Sequence, residues 1–130
     1  MGRTIWSQSI LTQYGLLSVR DFDTEDEPEV EEFLPGHVYV ATRTDTDGEV
    51  AIDVTIGEPK ETDIRTVIEE VMTFESGILC ITAPTIPDEE TVRLPRPGRW
   101  AVKICVRGEP RPDWVGIYFS EKEWREAGGI

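Results

Sequence analysis

The chain of 130 residues predicts an all-β fold: an antiparallel two-sheet β-sandwich of seven or eight strands, forming a single domain over residues 1–130. Three observations carry this. Apolar and polar residues alternate at period two in several stretches. Turn residues recur between those stretches, and no long helical pattern interrupts them.

The alternation is cleanest in two places. In EVAIDVTIGE, Val50, Ile52, Val54 and Ile56 share one face, with Ala51, Asp53 and Thr55 on the other. In RWAVKICVRG, Trp100, Val102, Ile104 and Val106 point inward, with Lys103 and Arg107 outward. Period two means a strand with one buried face. The expected strands are 4–10, 14–22, 37–43, 49–57, 67–75, 78–84, 99–107 and 113–119. Asp47-Gly48 and Ser76-Gly77 read as hairpin turns, because tight hairpins need positive φ at their centres. Pro97-Gly98 reads as a type II turn entering the Trp100 strand. The tail SEKEWREAGGI allows one helical turn, with Trp124 covering a sheet edge.

Apolar residues make up 38% of the chain and charged residues 30%, a composition that folds. The net charge is −13, which disfavours nucleic acid and anionic membranes and favours a basic protein, a cation or a salty environment. The charge is uneven. Residues 1–65 carry fifteen acidic and five basic side chains, net −10, and residues 66–130 carry eleven and eight, net −3. The opening MGRTIWSQSI lacks the apolar stretch of a secretory signal, and no apolar run reaches membrane-spanning length. Cys80 and Cys105 sit in strand-like runs and read as buried thiols on neighbouring strands. The expected compartment is the cytoplasm.

The densest feature is DFDTEDEPEVEEF, residues 21–33. Asp21, Asp23, Glu25, Asp26, Glu27, Glu29, Glu31 and Glu32 stand there without one Lys or Arg. No strand stripe appears in it, so a loop is expected. It reads as a solvated run or as a docking surface for a basic partner; against a third reading, a cation site, stands the lack of a glycine turn to wrap an ion. A second feature is a basic stripe of Arg93, Arg96, Arg99, Lys103, Arg107 and Arg111. It reads as cations paired with the chain's own carboxylates, or as half of a two-signed docking face.

Catalytic and metal chemistry find little support. Nucleophilic catalysis needs a base beside the nucleophile, and His37 is the single histidine. No P-loop, G-x-S-x-G or H-E-x-x-H occurs. DTDG at 45–48 begins like a calcium loop, but Arg43 and Val54 stand where that loop needs oxygen ligands. No cofactor, metal or catalytic residue is expected.

Three segments, SQSILTQYGLLSVRD, IEEVMTFESGILCITA and VRLPRPGRWAVKI, resemble the bacterial competence protein J family. The shared pattern is a Tyr-bearing early strand, a glycine hairpin, and a Leu-Pro turn entering a strand with an aromatic at its start. Here these are Tyr14, Gly77, Leu94, Pro95, Gly98 and Trp100. Arg96 and Pro97 both lie between Pro95 and Gly98, one residue more than the family's tighter turn. The resemblance implies a small β-sandwich that binds and inhibits a DNA-entry nuclease, with the six residues serving as framework. Toxin-immunity proteins, also small and often acidic, are a related class. The expected function is thus a non-enzymatic acidic protein that neutralises a basic nuclease or toxin. The alternative is an accessory or small-ligand module with a cleft between its sheets.

Overall fold

The computed structural model describes residues 2–25, 27–29, 32–83 and 90–129. Its strands are β1 (Arg3–Ile10), β2 (Leu16–Asp21), β3 (Phe33–Leu34), β4 (His37–Ala41), β5 (Val50–Ile56), β6 (Arg65–Phe74), β7 (Ile78–Thr82), β8 (Glu90–Arg93), β9 (Gly98–Arg107) and β10 (Trp114–Phe119). One helix, α1 (Glu121–Glu126), follows. The eight expected strands are present, and the short β3 and β8 are additional.

Two five-stranded sheets form the sandwich. Sheet A has the order β1-β5-β10-β9-β6 and sheet B the order β3-β4-β2-β7-β8. Most pairs are antiparallel, but β10 pairs with β5 in parallel. Every residue of β10 is buried, as befits a parallel pairing covered on both faces.

Both Gly-marked hairpins are overturned. Asp47-Gly48 joins β4 of sheet B to β5 of sheet A, and Ser76-Gly77 joins β6 of sheet A to β7 of sheet B. Each turn moves the chain between layers rather than back along its own neighbour. Turn chemistry fixes where a chain reverses and leaves its next partner open. Pro97-Gly98 also precedes a change of sheet, with Gly98 at φ 106°, the positive value expected of it.

The alternating faces meet between the sheets. Val50, Ile52, Val54 and Ile56 pack with Trp100, Val102, Ile104 and Val106, and sheet B adds Leu17, Val19, Val38, Val40, Leu79 and Ile81. Aromatic rings close one end of this core. Trp100 meets Phe119 edge-on at 5.7 Å between ring centroids, and Trp124 of α1 lies 5.6 Å from Trp100. Helix α1 is capped by the Ser120 hydroxyl, which accepts from the Glu123 N–H.

A second, smaller cluster lies on the outer face of sheet A, where Cys105, Trp114 and Tyr118 are buried with Ile64 against them. Trp114 and Tyr118 flank Gly116 so closely that a Cβ there would stand 2.8 Å from the Tyr118 ring. The Trp114 indole N–H donates to Asp53 Oδ2 at 2.8 Å, and Asp53 also accepts from the Ser7 hydroxyl. Burial pushes the Cys105 thiol and, further, the Tyr118 phenol upward, and Glu61 beside the phenol adds to its rise.

The two cysteines are buried and not joined in a disulfide, and they are not neighbours. Cys105 belongs to β9 of sheet A and Cys80 to β7 of sheet B. Cys105 lies in the outer cluster of sheet A. Cys80 alternates with the core residues Leu79 and Ile81, which turns it to the outer side of sheet B. The sandwich stands between them.

Candidate functional site

The acidic segment connects β2 to β3 at the edge of sheet B. Asp21 ends β2, and the described residues between it and Phe33 are irregular, as expected. The segment's first residue is a correction. Asp21 is 3% exposed and belongs to the framework: Oδ1 accepts from the Ser76 N–H at 3.1 Å and from the Ser76 hydroxyl at 2.5 Å. Asp23, Glu25, Glu27, Glu29 and Glu32 are exposed. Asp26 and Glu31 lie outside the described residues. Pro28 is buried in the middle of the run. The Glu29 N–H donates to Glu32 Oε1 at 3.3 Å, and the Glu32 N–H returns to the Glu29 carbonyl at 3.0 Å.

The segment ends at a groove between the sheet edges. Strand β6 is one edge of sheet A, and the short β3, with β4 beside it, forms one edge of sheet B. Near Phe74 the two edges are joined, since the Thr73 N–H donates to the Pro35 carbonyl at 2.8 Å. Toward Arg65 an opening of about 420 Å³ lies between them. Phe33, Tyr39 and Val40 line it from sheet B, and Ile68 and Val106 from sheet A. Glu32, Glu69 and Glu70 also line it.

Glu70 is informative. It stands opposite Val102, a core residue, so its side chain leaves β6 on the core-facing side. It is nevertheless exposed. A bulge between Thr66 and Ile68 and an inward-facing charge both discourage chain-to-chain pairing at a sheet edge.

The basic stripe divides. Arg96 lies over the Trp100 ring at 4.3 Å, with Glu123 at 3.7 Å. Lys103 sits between Glu58 at 2.9 Å and Glu69 at 3.6 Å; the hydrogen bond to Glu58 raises its pKa most. Arg107 lies over Trp114 at 4.9 Å, with Asp63 at 3.9 Å. These three serve the chain's own surface, whereas Arg93, Arg99 and Arg111 are exposed.

Two arrangements were not apparent in the sequence. His37 is buried, and its Nε2 lies 2.7 Å from the Ser18 hydroxyl, which is buried as well. This is the spacing of a nucleophile and its base, but at 5% and 4% exposure neither group reaches a substrate, so the pair acts as structure. The second is Tyr14. It is 77% exposed and adopts φ 63°, ψ 7°, the left-handed region. It thus stands outside the framework role its matched position implies. The other five matched residues hold framework places: Trp100 and Leu94 are in the core, Gly77 and Gly98 take positive φ, and Pro95 lies before β9 beside Gly129.

Among the described residues, no group of three or more His, Cys, Asp or Glu could hold a metal ion. Nor is any helix there long and apolar enough to cross a membrane.

The fold and site define a class: a small β-sandwich whose accessible chemistry is carboxylate beside an apolar groove. In a comparison of solved structures, the chain is similar to the crystal structure of ComJ from Bacillus subtilis, described as an inhibitor of the DNA-degrading activity of NucA. The TM-score is 0.69 at 12% identity, over 92% of this chain and 98% of that one. At that identity the likeness establishes the fold, and it is the fold that the competence protein J resemblance implied. No protein-family model and no curated protein sequence matches the chain.

Proposed function

We propose that this protein is a non-enzymatic cytoplasmic inhibitor that docks a basic protein, a nuclease or a toxin, through the carboxylates of residues 23–32. The fold shared with a nuclease inhibitor carries this reading. The exposed run Asp23, Glu25, Glu27, Glu29 and Glu32 supports the choice of surface. Such a run raises the encounter rate with a cationic partner and makes association sensitive to salt. The acidic lining of the inter-sheet groove favours a protein partner over a small apolar ligand.

The test is affinity capture from the source cell, followed by inhibition assays with the purified partner at rising salt. The expected result is inhibition that weakens with salt and with the combined substitution D23N/E25Q/E27Q/E29Q. Salt-independent inhibition, or full potency of that variant at low salt, excludes the acidic segment as the docking surface. Failure to inhibit any captured nuclease or toxin removes the inhibitory role itself.

A further inference from the structure

We infer that the groove between β6 and the β3–β4 edge binds an extended basic segment of the partner, with Glu70 as its recognising carboxylate. The inference rests on the proposed function for the partner's charge, and it assigns a second surface, which adjoins the exposed run at Glu32.

The groove offers two chemistries side by side. Phe33 from sheet B and Ile68 from sheet A, both half-buried, present apolar surface across it. Arginine and lysine match such a site, since their stems cover apolar surface while their heads seek carboxylates. The lining carboxylates are not equivalent. Glu69 is held by Lys103 at 3.6 Å, and Glu32 accepts from the Glu29 N–H. Glu70 has no ion pair among the described residues and leaves β6 toward the groove. Arg65, the cation of the groove, is drawn toward Glu109 at 3.5 Å. An apolar floor with an uncompensated carboxylate selects a cationic, extended occupant whose apolar and basic residues alternate.

The test uses the full chain, labelled with ¹⁵N and titrated with the capped peptide Ac-Arg-Leu-Arg-Leu-Arg-NH₂. The expected amide shifts fall at Val40, Ala41, Ile68, Glu70 and Val106. Glu70→Gln should weaken the peptide about five-fold, the size of one partly exposed ion pair. The variant D23N/E25Q/E27Q/E29Q should keep the same groove shifts. A well-dispersed spectrum of Glu70→Gln establishes that its fold is intact. If that spectrum collapses, Glu70→Asp serves instead, and equal affinity with the carboxylate drawn back refutes the role of Glu70. Shifts confined to residues 23–29, none at millimolar peptide, or wild-type affinity in Glu70→Gln overturns the inference. So does sedimentation showing a dimer of the free protein with these amides buried, which would give the groove to a second copy. Groove binding that survives a failed inhibition assay leaves this surface standing and removes the inhibitory role.

Discussion

Asp21 and Ser76 tie the end of β2 to the crossover by which the chain passes from sheet A to sheet B. The carboxylate accepts both the backbone N–H and the hydroxyl of Ser76, and the Ser76 oxygen in turn accepts the Ile78 N–H at 3.1 Å. The crossover is held again by the Phe22 N–H, which donates to the Ile78 carbonyl at 3.0 Å. Asp21→Ala leaves partly buried donors without acceptors and should cost about 1–3 kcal/mol. Asp21→Asn keeps one carbonyl acceptor and should cost less. Two residues on, exposed Asp23→Asn should change stability by no more than about 0.5 kcal/mol. Urea unfolding midpoints of the three variants check the ordering, and equal midpoints refute it.

That contrast shows what the sequence could and could not carry. The cores of β5 and β9 were legible because period two is a local property, readable along one strand. The role of Asp21 was not, because it is set by a serine 55 residues away, and nothing local separates it from seven similar acids. The same limit applies to Asp47-Gly48 and Ser76-Gly77. A turn signal records the bend, while the choice between sheets belongs to the packing of both layers. The groove was illegible for a related reason. It lies between β6 and the β3–β4 edge, strands distant in sequence and in different sheets. The exposed acidic run was visible from composition alone, since charge without counter-charge is also local.

Tyr14 carries backbone strain without burial to hold it. A non-glycine residue in the left-handed region costs about 1 kcal/mol. Its neighbour Gly15, at φ 67°, needs its glycine, since a Cβ there would lie 2.7 Å from the Thr42 carbonyl oxygen. Tyr14→Gly should therefore leave stability unchanged or raise it by up to about 1 kcal/mol. Tyr14→Val, β-branched in the same conformation, should lower it. Thermal melts of the two variants test this, and a large loss in Tyr14→Gly would show that the ring is held by packing after all.

Gly116 has no positive φ to explain it and is required by space. The Trp114 and Tyr118 rings close over it on the outer face of sheet A. Gly116→Ala should push them apart and strain the Trp114–Asp53 hydrogen bond, at a cost of about 1–3 kcal/mol. Pairing Gly116→Ala with Trp114→Phe, which removes the indole N–H and part of the ring, should recover part of that cost. A double-mutant cycle measures the recovery. Strict additivity would place the strain elsewhere.

The alkaline limit of stability follows from the same face of sheet A. Tyr118 and Cys105 have folded pKa values raised by burial, and Lys103 one raised by its hydrogen bond to Glu58. A raised value means the folded state holds its proton after the unfolded state has released it. Each group therefore contributes stability in full below its unfolded pKa, and the contribution is lost as pH climbs toward the folded value. The loss begins with Cys105 near its ordinary value of about 8.5 and steepens from about 10, where Tyr and Lys release protons in the unfolded chain. Above that point each proton held only by the folded state lowers stability by about 1.4 kcal/mol per pH unit. Tyr118→Phe should flatten this slope while leaving the neutral-pH slope unchanged. Phenolate absorbance from Tyr118 should rise together with loss of the folded circular-dichroism signal. If the phenolate absorbance that Tyr118→Phe removes appears while the fold is intact, the buried, Glu61-facing placement of its hydroxyl, 3.3 Å from Oε2, is refuted.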